Sequence, residues 1–457
     1  MSGYHMVIVA GVVFFVIRAG FALIPGFADR HPIKKWAALG ALFAAAFYLL
    51  LSDAEVATQR AFIMTAVVLV AVMVDRSALT LRTIAVAALF VLLIAPQALV
   101  HPSFQMSFAA TLALIAGYQN RLQWFRNAAD TPLGARLALW GAREIFGLVF
   151  ASMLAGLATM PFAAYHFHRL APYGVLANLL AMPIVSIYVM PAGLAALLAI
   201  PFGFDDFFWR QMGHGIGWMV GVAQWVAGLP GAVGHIPAFG IGPLLLGSAG
   251  LILVCLLRTP LRWSGAALIA AASLWAIRTP LPDVLISGDG QVIAIRNAAG
   301  RLSVLKTGID AFAVKDWLAA DADARTPKDP ALAEGIRCDD VGCVGRLPDG
   351  RNVALSFNAE ALAEDCERAA LVVSPRDAAI VCKAMLIDRK VWRSTGALAL
   401  TRNGKDFTIE AARPASHDRP WARQGSSVGD VPIAASPAAR TAPRDAAPRA
   451  EDLEAGD

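Results

Sequence analysis

Several polar residues stand in, or at the edge of, apolar runs that otherwise exclude them. Arg60 opens one run, Gln105 and Ser107 lie near the start of another, and His166 and His168 close a third. Asn178 opens a fourth, which also carries Pro183 and Pro191, while Ser2, Gly3 and His5 stand at the head of the first. Guanidinium, imidazole, hydroxyl and carboxamide groups can all donate hydrogen bonds to anionic oxygens. In an apolar medium they need a partner, water or a polar ligand. Arg60 therefore has two readings: a cation at the mouth of a path, or an ion pair with Asp53 or Glu55. His166 and His168, with Arg169, either meet an incoming anion or belong to a solvated loop. Gln105 and Ser107 are two apart and cannot share a helix face, and Ser103 ahead of them has the type of an N-cap. Arg18 either contacts an anion or snorkels to the interface. His5 has the reading of a structural hydrogen bond. Asn178, Pro183 and Pro191 predict a broken helix, which is tolerated at membrane depth where backbone lines a cavity.

These residues must be positioned by long apolar elements. The 457-residue chain is 57% hydrophobic and only 16% charged, against about 25% charged for a soluble domain. A membrane-crossing helix needs about 20 apolar residues. Ten windows qualify: 6–27, 36–52, 60–74, 83–100, 103–119, 144–164, 174–200, 211–229, 240–257 and 263–278. The eighth, with His214, Gln224 and several glycines, reads equally as an interfacial or re-entrant segment. Basic residues fall in alternate loops: Arg30, Lys34 and Lys35; Arg76 and Arg82; Arg121, Arg126, Arg136 and Arg143; Arg210; Arg258 and Arg262. The opposite loops hold Arg60 and Arg169, with Arg278 at the last exit. The positive-inside rule puts the basic loops in the cytoplasm. The expectation is a polytopic α-helical protein of the plasma (inner) membrane with about 10 transmembrane helices, its two ends outside the cytoplasm. If window 8 does not cross, the C-terminal region changes sides.

The pattern changes at Pro280. Short alternating runs predict strands at 284–286, 291–295, 302–305, 341–347, 352–357, 371–373, 385–387, 397–401 and 407–409, with a helix over 312–320. The reading is three domains: 1–279 in the membrane, 280–412 a small mixed α/β soluble domain, and 413–457 a Pro- and Ala-rich disordered tail. Cys338, Cys343, Cys366 and Cys382 all fall in the soluble domain, where an oxidising compartment would favour disulfides. Three connectivities are open. Four buried free thiols are the alternative. A zinc site is disfavoured, because no second close Cys pair and no nearby His accompany Cys338 and Cys343.

Four ordered blocks carry a family resemblance. Ser2-Gly3-Tyr4-His5-Met6, Thr58-Gln59-Arg60-Ala61-Phe62-Ile63-Met64, Pro102-Ser103-Phe104-Gln105-Met106-Ser107-Phe108, and Met160-Pro161-Phe162 through Asn178-Leu179-Leu180-Ala181-Met182-Pro183 to Pro191 resemble the competence domain of the ComEC family. The resemblance covers residues 1 to about 260. It implies an inner-membrane channel component for uptake of single-stranded DNA in natural transformation. It also implies a soluble domain and further helices ahead of the first block, so the expectation is an N-terminally truncated chain. The partners it implies are single-stranded DNA, a cytoplasmic ATPase or helicase and a periplasmic DNA receptor; the apolar composition itself calls for the lipid bilayer, and assembly as a homo-oligomer is open. No Gly-x-x-x-x-Gly-Lys-[Ser/Thr] loop is present, so energy would come from the ATPase or helicase.

Many ComEC members end in a metallo-β-lactamase-like domain with a His-x-His-x-Asp-His motif. After residue 280 this sequence has one histidine, His417, too few ligands for a two-metal hydrolytic site. The expectation is a degenerate domain, no enzyme activity and no cofactor. The competing readings are a membrane-anchored hydrolase or nuclease acting through that domain, and a non-functional fragment of a larger channel protein. Phe104, Phe108, Trp124 and Phe125 are either packed aromatics or base-stacking platforms.

Overall fold

The computed structural model describes residues 3–24, 30–53, 56–76, 80–121, 133–306, 311–378, 381–404 and 406–414. Ser2, Glu55, Trp124, Phe125, His417 and nearly all of the tail lie outside these residues. The chain divides into two compact units, one of helices up to Ile277 and one from Arg278 onward, with residues 235–238 counted in the second.

A helix underlies each of the ten apolar windows. They are α1 (Gly3–Ala22), α2 (Ile33–Leu51), α3 (Val56–Met73), α4 (Leu81–Ile94), α5 (Pro102–Arg121), α6 (Leu133–Phe167), the pair α7 (Gly174–Pro183) and α8 (Met190–Ala199), α9 (Asp205–Ala227), α10 (Ile241–Leu256) and α11 (Arg262–Ile277). Four stretches are long and apolar enough to cross a membrane: His5–Ala22, Ile33–Leu51, Gly141–Phe167 and Gly174–Phe202. Thr58–Met73, Leu81–Ile94 and Ile241–Leu256 are shorter apolar helices.

Small residues set the packing. Ala38, Ala41 and Ala45 of α2 meet Met6 and Ala10 of α1. Ala109 and Ala113 of α5 meet Ala158 and Phe162 of α6 and Leu244 of α10. Between them, Phe104 and Phe108 pack with Ala87 and Val91 of α4, their ring centroids 4.3 Å apart. Both rings are buried, so in this unit they are packing residues. Where helices come closest, glycine faces glycine. A Cβ on Gly250 of α10 would lie 2.6 Å from the Gly265 carbonyl oxygen, and one on Gly265 of α11 would lie 2.5 Å from that of Gly250. Small residues that let backbones touch are the usual basis of helix association in lipid.

The break expected at Pro183 and Pro191 does not occur. α7 passes through a π-helical turn, Ile184–Val189, into α8 with the backbone helical throughout. A wide turn absorbs the lost proline N–H: Met190 N–H reaches back five residues to the Val185 carbonyl. Pro183 closes α7, and Pro191 directly follows the π turn, at the second residue of α8.

After α8, Gly203 turns the chain in a left-handed conformation (φ 71°) and α9 returns alongside. Tyr188 donates to Gln211 Oε1 at 2.6 Å, and Gly215 lies against Tyr188 and Val189. At the far end Tyr173 Oη donates to the Pro230 carbonyl at 3.0 Å. α9 therefore runs antiparallel along the whole Gly174–Phe202 stretch.

The second unit is a four-layer sandwich. One five-stranded sheet, entirely antiparallel, has the order β10-β9-β1-β2-β3, from β1 (Val284–Ile286), β2 (Val292–Arg296), β3 (Leu302–Lys306), β9 (Leu398–Asn403) and β10 (Asp406–Ala411). The other has the order β8-β7-β6-β5-β4, from β4 (Ile336–Cys338), β5 (Gly342–Arg346), β6 (Asn352–Ser356), β7 (Leu371–Val373) and β8 (Met385–Ile387). It is antiparallel at β4–β5–β6 and parallel at β6–β7–β8. Ile286, Ile293, Ile295 and Leu305 of the first sheet interdigitate with Val353, Leu355, Leu371 and Val373 of the second. α12 (Ala311–Ala320) covers the outer face of the first sheet through Val314 and Leu318. α13 (Ala359–Arg368) covers the second through Leu362 and Cys366. The strands carry hydrophobic side chains on both faces because both faces are covered. α14 (Arg389–Thr395) caps on Asp388.

Two ion pairs fasten the loop after α12 to the first sheet. Arg296 pairs with Asp321 at 2.5 Å, and Arg325 pairs with Asp323 at 2.6 Å while donating to the Leu302 carbonyl. All four side chains are mostly buried. The cysteines pair locally: Cys338 bonds Cys343 across β4–β5, and Cys366 at the end of α13 bonds Cys382 ahead of β8.

Asp365 gives a pH prediction. Burial pushes its carboxyl above the ordinary range. A hydrogen bond from the buried Ser356 hydroxyl, at 2.7 Å, offsets this in part, while Glu364 and Asp339 add to the rise. A raised folded-state pKa means stability that is present at low pH and is lost as pH rises through that pKa. Asp365→Asn keeps an acceptor for Ser356 and removes the charge. It should leave the unit as stable or more stable at neutral pH and flatten its acid-side pH dependence. A marked loss of thermal stability at pH 7 would contradict this.

Candidate functional site

The polar residues of α3, α5 and α6 form one cluster at neighbouring helix ends. Its assembly starts with His101 and Pro102. Pro102 takes the first helical position of α5, where its missing N–H is no loss. His101 is consequently the N-cap residue: its carbonyl accepts from Phe104 N–H at 3.0 Å and Gln105 N–H at 3.2 Å. Its ring Nδ1 accepts from Ser103 N–H at 3.3 Å. Ser103, expected at the cap, is inside the first turn instead. Its hydroxyl is thereby free to accept from the Arg60 guanidinium at 2.5 Å.

Arg60 thus bonds to α5 across 43 residues of chain. Two residues on, Gln105 joins two further elements. Its Nε2 donates to the Leu99 carbonyl at 3.0 Å, in the short 3-10 turn Pro96–Val100. Its Oε1 lies 2.8 Å from His166 Nε2 at the end of α6, a contact that requires the proton on that nitrogen. The His166 ring also meets Tyr165 edge-on, with centroids 5.0 Å apart. His168 follows in a left-handed conformation (φ 54°) and ends the helix. Thr58, on α3 one turn or less from Arg60, is 3% exposed, and its hydroxyl has no hydrogen-bond partner among the described residues.

The cluster brings together Arg60, Gln105 and His166 of the expected residues and adds His101, Ser103 and the Leu99 carbonyl. Ser107 takes part in α5 through its carbonyl, which accepts from Thr111 at 2.8 Å. Asn178, Pro183 and Pro191 are exposed on the surface of their helix, and no described contact joins them to the cluster. Gly3 and His5 lie in the first turn of α1, and Ser2 lies outside the described residues. The sequence signal for the missed residues was the His-Pro-Ser order itself, in which proline moves the cap from Ser103 to His101.

Hydrogen bonds sort the helix ends into two sets. Arg60 at the start of α3 bonds to Ser103 at the start of α5, and Gln105 of α5 bonds to His166 at the finish of α6. At the other ends, Lys35 at the start of α2 pairs with Asp75 after α3 at 2.6 Å. Arg258 after α10 reaches Gln119 of α5 at 3.4 Å. The second set falls at the basic loops. The first falls at the loops poor in basic residues.

The family model for the competence protein matches residues 1–261, which hold the whole cluster and more than half of the chain. The chain belongs to the competence protein family. It is also similar to ComE operon protein 3 of Bacillus subtilis (strain 168), with 25% identity over 222 residues, or 48% of this chain and 25% of the relative. The chain spans about a quarter of that curated relative's length. No solved structure matches significantly. The competence-family match and the ComEC-like blocks fall on the same helical unit, and the four-layer unit lies beyond both. Among the described residues no group of three or more His, Cys, Asp or Glu is placed to hold a metal ion.

Proposed function

We propose that the helical unit is a channel component for single-stranded DNA uptake in natural transformation, crossing the inner membrane about ten times. The observation that carries this reading is a polar, cation-bearing cluster at one end of three apolar helices, inside a competence-family match. Moving a polyanion through lipid requires water and hydrogen-bond donors that lipid cannot supply. Arg60, His166 and Gln105 would offer such donors where a strand enters.

The α9 hairpin supports the ten-span topology. If Gly174–Phe202 crosses, a helix packed along its full length crosses back. The C-terminal unit is then periplasmic, where its two disulfides would persist. The order of layers in that unit is the one a metallo-β-lactamase-like domain would have. Its ligand inventory supports a scaffold rather than a nuclease. Energy would come from a cytoplasmic ATPase or helicase, and the strand from a periplasmic receptor.

Deleting the gene should abolish uptake of fluorescent DNA into the cytoplasm, and unchanged uptake would remove the channel reading. Within the cluster, Gln105→Leu removes the hydrogen bonds to the Leu99 carbonyl and His166, each worth about 0.5–1.5 kcal/mol. Its uptake should fall well below wild type at normal membrane abundance. Arg60→Ala should do the same. Full uptake by both variants would make the cluster a packing feature only.

A further inference from the structure

α9 has an outward face that lipid cannot cover. Its packed side is continuous: Gln211, Met212 and Gly215 meet α8 and the π turn, with Val226 buried further along. Directly opposite, at helical spacing, stand Asp206, Arg210, His214, Gly217, Gly221 and Gln224. Asp206 and Arg210 ion-pair with each other one turn apart; His214, Gly217, Gly221 and Gln224 leave their outward surface without a described contact. A Cβ added at Gly217 or Gly221 would meet nothing within 4 Å. The stripe carries no apolar side chain. Beside it along one border run Phe207, Trp218 and Trp225, spaced to share a face and each more than half exposed.

α9 lies along Gly174–Phe202 from Gly203 to Tyr173 and is therefore at membrane depth wherever that stretch is. Arg, His and Gln within a spanning helix face a bundle interior or a water-filled cavity. The chemistry of the stripe favours a water-filled path over a helix partner. His214 and Gln224, with the guanidinium N–H groups of Arg210 that its pair with Asp206 leaves over, offer donors for phosphate oxygens, the glycines leave width beside them, and the aromatic row offers flat faces. A backbone-tracking groove next to stacking rings is the combination that holds single strands without regard to sequence.

We propose that the outward face of α9 lines the route of the translocating single strand, with phosphates along Arg210–Gln224 and bases against Phe207, Trp218 and Trp225. This rests on the channel reading above and assigns a segment of the route to it. The full-length protein is tested with Cys255→Ser as background, the other four cysteines being disulfide-bonded. Gly221→Cys and Gln224→Cys should react in membranes with a water-soluble, impermeant maleimide, whereas Ile216→Cys, toward the side of the helix, should not. Arresting a strand in transit, by a bulky block at its trailing end, should protect Gly221→Cys and Gln224→Cys from the reagent. Labelling without protection would overturn the proposal, as would no labelling. Disulfide-linked dimers through Gly221→Cys would assign the face to a second copy and would overturn it too. Uptake that survives deletion of the gene would instead sink the channel reading itself, so the two failures are distinguishable.

Discussion

Gly265→Leu should prevent the helical unit from accumulating. The variant's Cβ would meet the Gly250 carbonyl oxygen at 2.5 Å and Val254 N and Cγ2 at 2.9 Å. Two of these atoms are backbone, so no rotamer relieves the clash, and α10 and α11 must separate. Overpacking a core commonly costs about 1–3 kcal/mol, and more when backbone has to move. Here the loss also removes the contact on which helix association in lipid depends. Membrane abundance after a translation stop should decline much faster than wild type. Gly250→Leu should behave alike, since its Cβ meets Gly265 O and Ile269. Gly11→Ala and Gly20→Ala, with open space around the added carbon, should be stable. A wild-type lifetime for Gly265→Leu would mean that α10 and α11 do not cross at this pair.

The second large effect is expected in the sandwich. Cys366→Ala with Cys382→Ala opens a covalent loop of sequence separation 16. Closing a loop of this size removes unfolded-chain entropy worth about 3 kcal/mol. Cys366 is 3% exposed among Ala354, Leu362 and Val372, so alanine also leaves a small void. Hydrogen exchange of the β6 and β7 amides in the full chain should quicken by a corresponding factor. The β4–β5 bridge, with a separation of 5, should contribute about 2 kcal/mol by the same relation. Unaltered exchange after loss of Cys366 and Cys382 would show that the bond adds nothing to the folded state.

Short apolar runs made most of the sandwich legible. The runs at 284–286, 352–357 and 371–373 become β1, β6 and β7, whose adjacent apolar residues are buried on both faces. β4 was not legible: Ile336-Arg337-Cys338 has one apolar side chain and gains its strand only by pairing with β5. α13 carried a readable signal, Asn358 as cap and Leu362 with Cys366 one turn apart. In the helical unit the apolar runs marked every helix, but proline was a poor guide to its shape. At Pro183 and Pro191 a π turn supplied by intervening β-branched residues keeps the helix continuous. The cluster was half legible. Arg60, Gln105 and His166 are conspicuous as polar residues in apolar runs, yet their pairing spans 43 and 61 residues. No local spacing encodes which distant partner each will find. Ser103 was misplaced because residue type ranks serine above histidine as a cap, and backbone geometry at Pro102 overrides type.

The strand order of the first sheet also sets a clock for biogenesis. β1, the first strand made, sits in the middle, with β2 on one side and β9, the second-last strand made, on the other. The seam is fastened across 119 residues, where Arg402 N–H donates to Asp283 and its guanidinium approaches the same carboxylate. Until residues 398–411 emerge, β1 has an open edge and the core between the sheets lacks Leu398, Leu400 and Phe407. Contacts this distant form late and slowly. The core between the sheets should therefore stay incompletely packed through nearly all of the unit's synthesis. It then closes as a whole once the last two strands arrive.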